Sequence, residues 1–371
     1  MSAFADKRIS VARPPRMTSL DHALAFCARF GLQFPILLAP MAGVPAPSLS
    51  IAVAQAGGMA ACGALMLQPN QIVAWADEVR TACNGAFQIN LWVPDPPARR
   101  DDVHETTVRE FLSQWGPKVP PEAGNAALPD FAAQCDALLR ARPRAASSVM
   151  GLFPAAFAAR LKTLKIAWFA TVTSVTEARA AEAAGADVIV AQGMEAGGHR
   201  GCFEAVQAER QQVGLLALLP AVVDAVSTPV VAAGGITDAR GVAAALVLGA
   251  SAVQIGTGFL RSPEAGMHPA WADALASTAP EDTTVTRAFS GRAARSITTD
   301  FVRAAFAAGE FALTPYPVQR GLTSAMRAAA RQTGDLQRMQ AWAGQSAALA
   351  RAQPAAQIVR ELWDGARQLL A

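Results

Sequence analysis

"VAAALVLGASAVQIGTG", residues 242–258, is the stretch that decides the fold. It reads as an alanine-rich helix end, a glycine, a short apolar strand and more glycine. The same layout recurs in "RAAEAAGADVIVAQG" (179–193) and "AVAQAGGMAACGAL" (52–65). The first glycine of each (Gly249, Gly185, Gly57) suits a helix C-terminus, where the backbone turns through positive φ. The glycine past the strand suits a loop whose bare backbone approaches a ligand.

Outward from these three units, further strand-like runs stand at Ile36–Ala39, Phe87–Leu91, Ser147–Met150, Ala167–Thr171 and Pro229–Ala232. With the strands ending near Ala61, Ala191 and Ile255 they make eight. Apolar strands alternating with helices are buried parallel strands. Eight of them favour an α/β fold of the (β/α)8 TIM barrel type over an open doubly wound sheet. The G-x-G-x-x-G fingerprint of a dinucleotide-binding unit is missing after the first strand.

The expected organisation is a flexible N-terminal tail (1–19), a barrel (20–262) and a C-terminal helical substrate-capping subdomain (263–371), with helices such as 321–333 and 355–370. Residues 92–130, rich in proline and charge, read as an insertion after strand three.

The totals exclude several function classes. A chain of 371 residues, 52% hydrophobic and 16% charged, has the composition of a protein with an extensive core. No run of eighteen apolar residues suggests a membrane span, and the first sixteen residues lack an apolar signal centre. A net charge of +3, with no basic stripe interleaved with aromatics, speaks against nucleic acid. Five scattered cysteines, none in a C-x-x-C pair, fit neither a disulfide framework nor a structural zinc site. We therefore expect a cytoplasmic protein, a monomer or homodimer, without metal, membrane or nucleic-acid partners.

In this fold the working residues lie at the C-terminal ends of the strands. Here those ends are Pro40-Met41-Ala42-Gly43, Cys62-Gly63, Asn90, Gly151, Thr171-Val172-Thr173, Gln192-Gly193, Gly234-Gly235 and Gly256-Thr257-Gly258. They are poor in carboxylates, which argues against metal-assisted hydrolysis. The glycine-rich loops "AGGITDAR" and "IGTGF" follow strands seven and eight, the usual phosphate site of such barrels. Thr237 or Asp238 would cap the helix that follows the first of them. A phosphate beneath an uncharged, apolar mouth suits FMN. Asn90 and Gln192 each donate and accept, matching the edge of a flavin pyrimidine ring. Met41 would pack on that ring.

His199, in "QGMEAGGHRG" (192–201), is the histidine of four that follows a strand end. Gly197 and Gly198 let backbone approach the flavin while the imidazole faces the substrate as proton acceptor or anion holder. Arg200 reads as a surface or loop-bracing residue that could add positive potential, and Glu195 as a cap or brace of the same loop. Tyr316, the sole tyrosine, lies between two prolines and serves either as a lid residue over the site or as an anchor for the cap.

These residues resemble the nitronate monooxygenase family, once called 2-nitropropane dioxygenases. The resemblance runs from about Leu32 onward and rests on "PILLAPMAG", "FQINLW", "AQGMEAGGHRG", "VVAAGGI", "VQIGTGFL" and "WAGQSAALAR". It implies that Asn90, Gln192, Gly197, Gly234 and Gln254-Ile255-Gly256-Thr257 contact FMN, and that His199 is the catalytic base. It further implies oxidation of alkyl nitronates such as propionate 3-nitronate by O2, through a flavin semiquinone. The substrate partners would be a nitronate or nitroalkane and O2. The family's better-studied bacterial members carry several tyrosines and a lysine in the cap, where this chain has Tyr316 and, in "QRGLT", Arg320. Two other readings compete: an NAD(P)H-dependent flavin reductase acting on a quinone or enoyl thioester, and a barrel that only binds a phosphorylated ligand.

Overall fold

A computed structural model describes residues 18–43, 47–83 and 85–371. The expected tail (1–19) lies almost wholly outside the described residues. Eleven strands occur among them: β1 (Ile36–Leu38), β2 (Ala60–Gly63), β3 (Phe87–Trp92), β4 (Ala145–Val149), β5 (Ala167–Val172), β6 (Val188–Gln192), β7 (Gly198–His199), β8 (Val230–Ala233), β9 (Ala252–Ile255), β10 (Thr283–Thr286) and β11 (Ala294–Ile297). Eight of them pair in parallel in the order β1-β9-β8-β6-β5-β4-β3-β2. The Met59 N–H donates to the Ile36 carbonyl (3.0 Å) and the Leu38 N–H to the Met59 carbonyl (2.9 Å). These two bonds join β1 to the start of β2 and close the ring. The fold is the TIM barrel that the strand count indicates.

The strands alternate between two apolar environments. Leu37, Phe169, Val188, Val190, Val231 and Ala252 fill the barrel interior, together with Met59. Their neighbours Leu38, Trp168, Ile189, Ala232 and Val253 pack outward under the helices. Both faces are dry, so the strands are mostly apolar, as buried parallel strands require; Gln88, Asn90, Ser147, Ser148, Thr171 and Gln254 are buried polar exceptions. The helix Ser19–Phe30 closes the N-terminal end of the barrel. Its Phe26 and Phe30 enter the interior cluster, and Phe30 meets Phe169 edge-on at 5.1 Å. Gly57, Gly185 and Gly249 all have positive φ, between 94° and 100°, at the helix ends that precede β2, β6 and β9.

The helix Ala355–Leu370, expected in the capping subdomain, packs instead on the barrel. Its buried stripe of Ala355, Ile358, Val359, Leu362, Trp363 and Ala366 lies against the helices Ala239–Val247 and Ser48–Gln55. It thus sits where the helix after the last barrel strand belongs.

A roof over the C-terminal mouth is built from two distant parts of the chain. Val108, Leu112 and Val119 of the insertion share one apolar cluster with Phe289, Phe301, Val302, Val318, Leu322 and Met326. The roof is not purely helical: β10, β11 and β7 form an antiparallel three-stranded sheet. Among the described residues no helix is long and apolar enough to cross a membrane.

Candidate active site

The loop after β6 rises from the barrel and joins the roof. Gly198 has φ +74°, a conformation that glycine adopts without strain. It and His199 then pair with Arg295 and Ala294 of β11. The Arg200 N–H donates to the Ala293 carbonyl (2.9 Å). His199 is thereby pinned, main chain first, beneath the roof sheet.

Its imidazole is walled by two indoles. Trp92, at the end of β3, meets it edge-on at 4.7 Å, and Trp342 at 5.1 Å. Nε2 lies 2.8 Å from the Ser290 hydroxyl, which in turn donates to the Arg292 carbonyl (3.1 Å). This network is satisfied with the proton on Nε2 and a lone pair on Nδ1. Burial first, and then the positive charges of Arg292, Arg320 and Arg327, push the His199 pKa down to about 3. The ring is neutral at neutral pH.

Of the two expectations for Arg200, surface or brace, the structure shows the brace, and Glu195 braces the loop as well. The Arg200 guanidinium is buried and donates to the Gly193 carbonyl at 2.6 Å. The Glu195 carboxylate accepts the Leu215 N–H at 2.8 and 3.0 Å, which ties the loop to the helix Leu215–Val223.

The amides expected to meet a cofactor divide. Asn90 is buried on β3 and donates to the Ser147 carbonyl and hydroxyl (3.2 and 3.1 Å); its Oδ1 accepts no hydrogen bond among the described residues. Gln192 serves the loop, donating to the His199 carbonyl (3.1 Å) and accepting the Gly201 N–H (2.8 Å). Gln254 turns inward and accepts from Gln88 Nε2 at 3.0 Å.

The glycine loops make several close backbone approaches. A Cβ on Gly197 would lie 2.5 Å from the Gly344 nitrogen, so the space at Gly197 is filled by the roof chain. At Gly198 nothing lies within 4 Å of such an atom. Gly234 and Gly235 have positive φ and admit Ala196 and Glu195 to within about 3 Å of where their side chains would stand. Gly63 backs onto Ala42, and Gly256 faces Ala39 and the Met41 sulfur at 3.4 Å. Pro40 and Met41 are half-buried at this rim, and Ile255, the last residue of β9, is buried outward under the helices.

The segment 342–346 lies across three of these loops. The Gly344 N–H donates to Thr257 Oγ1 (3.0 Å), Gln345 N–H to the Glu195 carbonyl (2.9 Å), and the Ser346 hydroxyl meets that of Thr237 at 2.6 Å. Of the two caps expected for the helix Ala239–Val247, Thr237 and Asp238, it is Asp238 that accepts the Gly241 N–H, and it pairs with Arg240. That helix N-terminus is therefore already matched by a carboxylate.

Tyr316 stands inside the site. Its ring lies 5.9 Å from Trp92, and its buried hydroxyl has no partner among the described residues. Burial pushes its pKa up to about 12, so it is a neutral donor. Arg292, fully buried, pairs with Asp95 of the insertion and donates to the Cys202 carbonyl at 2.6 Å. Sequence reasoning passed over Trp92, Ser290, Arg292, Arg327, Trp342 and Ser346. Three of them lie in motifs that carried a signal: Trp92 ends "FQINLW", and Trp342 and Ser346 belong to "WAGQSAALAR".

Comparison with known proteins places this site in context. The family description "Nitronate monooxygenase" matches residues 25–365. A probable nitronate monooxygenase of Staphylococcus aureus strain MSSA476 is 36% identical over 342 residues, covering 91% of this chain and 96% of that protein. The crystal structure of a nitroalkane oxidase from Streptomyces ansochromogenes superposes with a TM-score of 0.84 at 35% identity, over 94% of this chain and all of that one. FabK from Thermotoga maritima gives a TM-score of 0.73 at 28% identity, over 93% and 96% of the two chains.

Proposed function

The chain belongs to the nitronate monooxygenase family, and from that premise we propose that it oxidises alkyl nitronates of the propionate 3-nitronate type with O2, using FMN held over the barrel mouth. The observation that carries this reading is His199: a neutral imidazole between two indoles, in the field of three guanidinium groups.

The field favours an anion in the space before the imidazole. A nitronate is such an anion and needs no base. A neutral nitroalkane would lose its Cα proton to Nδ1, the bare nitrogen of His199, with Ser290 fixing the tautomer. A free imidazole of such low pKa is a weak base. The same guanidinium charges that weaken it stabilise the nitronate produced, so the two effects oppose. Trp92 and Trp342 exclude water around the reacting carbon.

The residues present fit FMN. The Asn90 Oδ1 is free to accept from a ring N–H, and open space lies beside Gly198. Met41 offers a soft apolar contact at the rim. The backbone of Gly234-Gly235 and Gly256-Thr257 and the hydroxyls of Thr237 and Ser346 would hold the phosphate. With Asp238 already on the helix N-terminus, loop amides and hydroxyls are left for that role. FMN, when bound, supplies the electron acceptor and the centre that reacts with O2.

The test is anaerobic. Purified protein is mixed separately with propionate 3-nitronate and with NADH or NADPH, and the flavin absorbance is followed. Loss of oxidised flavin with the nitronate alone is the expected result. Bleaching by the nicotinamide alone would overturn it in favour of a reductase acting on a quinone or enoyl thioester.

A further inference from the structure

The barrel interior changes from apolar to polar along two of its strands. On β9, Ala252 belongs to the apolar interior, and Gln254, two residues on, takes the same face. On β3, Gln88 and Asn90 alternate with Phe87, Ile89 and Leu91, which pack outward under the helices. Gln88 therefore points inward, and it is fully buried.

An amide is costly to bury in an apolar interior unless hydrogen bonds compensate it. Gln88 Nε2 uses both of its hydrogens, one on the Leu38 carbonyl of β1 (3.2 Å) and one on Gln254 Oε1 (3.0 Å). Its own Oε1 has no partner among the described residues. The Leu38 carbonyl can only accept, so it decides which end of the Gln88 amide faces it. That choice decides the next one. Gln254 is held by its oxygen, and its Nε2 donors have no partner among the described residues. The two amides thus form a chain of one polarity. It starts at a strand carbonyl and ends in free donors beside the Gly256-Thr257 loop, at the C-terminal end of β9.

We propose that Gln88 is a positioning residue for the cofactor: by holding Gln254 Oε1 it presents the Gln254 Nε2 donors to the flavin, and so raises the flavin's reduction potential. The proposal rests on the FMN reading above and adds to it a residue that does not itself touch the ring. A donor against the flavin favours the reduced ring, which carries more negative charge, over the oxidised one. Without Gln88 the Gln254 amide is free to turn over and set its oxygen there, with the opposite effect.

The experiment uses the purified flavin-loaded enzyme, its Q88M and Q254M variants and the double variant. Methionine keeps the length of glutamine and fills the space with an apolar chain. The midpoint potential of the bound FMN is measured by anaerobic titration against reference dyes. Q88M should hold reduced FMN, relative to oxidised FMN, ~10-fold less tightly than wild type, the scale of one hydrogen bond. That is a fall of about 30 mV for a two-electron couple. Q254M should lower the potential by a similar amount, and the double variant no further, because the two residues act as one chain. Q88L, which fills the same space with a different shape, gives the same reading should Q88M not fold. A potential unchanged by the loss of Gln88, or falls that add in the double variant, would overturn the proposal and leave the FMN reading standing. A wild-type protein that takes up no FMN would remove that reading and the proposal together.

Discussion

The Nε2 of His199 lies 2.8 Å from the Oγ of Ser290, a contact that joins the loop after β6 to the turn between β10 and β11. Ser290 is buried, and its oxygen also takes the Arg292 N–H at 3.3 Å. One hydroxyl thus fixes the imidazole's orientation and its tautomer.

Ser290→Ala should leave two buried N–H groups unsatisfied. The expected cost is about 1–3 kcal/mol of stability, read from urea unfolding, with a drop in turnover on neutral nitroalkanes. Ser290→Thr keeps the oxygen and should recover most of both. If Thr is no better than Ala, the hydroxyl is not what orients His199.

His199→Ala should slow oxidation of neutral nitroalkanes by ~10²–10⁴-fold, the usual worth of a general base, and affect preformed nitronates far less. FMN content, measured after heat release, should be unchanged. Equal small losses on both substrates would mean that the histidine only supports the loop.

The pH dependence of stability has a definite sign. The pKa of His199 falls from 6.5 to about 3 on folding, so between these values the unfolded chain binds a proton that the folded chain refuses. The contribution is fully present above pH 6.5 and is lost as pH falls toward 3, with a slope of at most about 1.4 kcal/mol per pH unit. Unfolding free energies at pH 7, 6 and 5 should decline less steeply in His199→Ala than in wild type. Parallel curves would show that the ring is not held neutral.

Gly197→Ala would set a methyl 2.5 Å from the Gly344 nitrogen and 2.9 Å from Thr257 Oγ1. We expect about 1–3 kcal/mol of destabilisation from the forced shift, with weaker retention of FMN because the 342–346 segment is displaced. Gly185→Ala serves as control, since it is strained at φ +94° but meets nothing within 4 Å. It should lower stability and leave FMN content alone. Full retention in Gly197→Ala would detach this segment from the cofactor site.

The barrel was legible because its signals are local. Val188, Ile189 and Val190 are apolar whichever face they take, and Gly185 marks the helix end before them within a few residues. The active-site walls were not legible in the same way. Trp92 reads as the first residue of a polar insertion, yet it is the last residue of β3. It meets His199 only because the roof brings together residues from 92 to 342. Periodicity tells which face of an element is buried, not which distant elements converge on it. Gln192 shows the converse limit. Its place at a strand end was plain, but its amide closes on His199 and Gly201, seven and nine residues further on. The stripe of Ile358, Val359 and Leu362 announces an amphipathic helix and is silent on whether the barrel or the roof receives it.

The helix Ala355–Leu370 carries a consequence for synthesis. It completes the ring of the barrel, yet in the chain it comes after the roof segments that follow β9. A ribosome must therefore finish those segments before it delivers the piece that seals the layer beneath. Until then the helices Ser48–Gln55 and Ala239–Val247 show water the apolar faces that this helix covers, including the seat of Trp363. A completed barrel with an unmade roof is thus not a stage through which the nascent chain passes. The segments that cover the reaction chamber are already made when the last helix of the barrel is delivered.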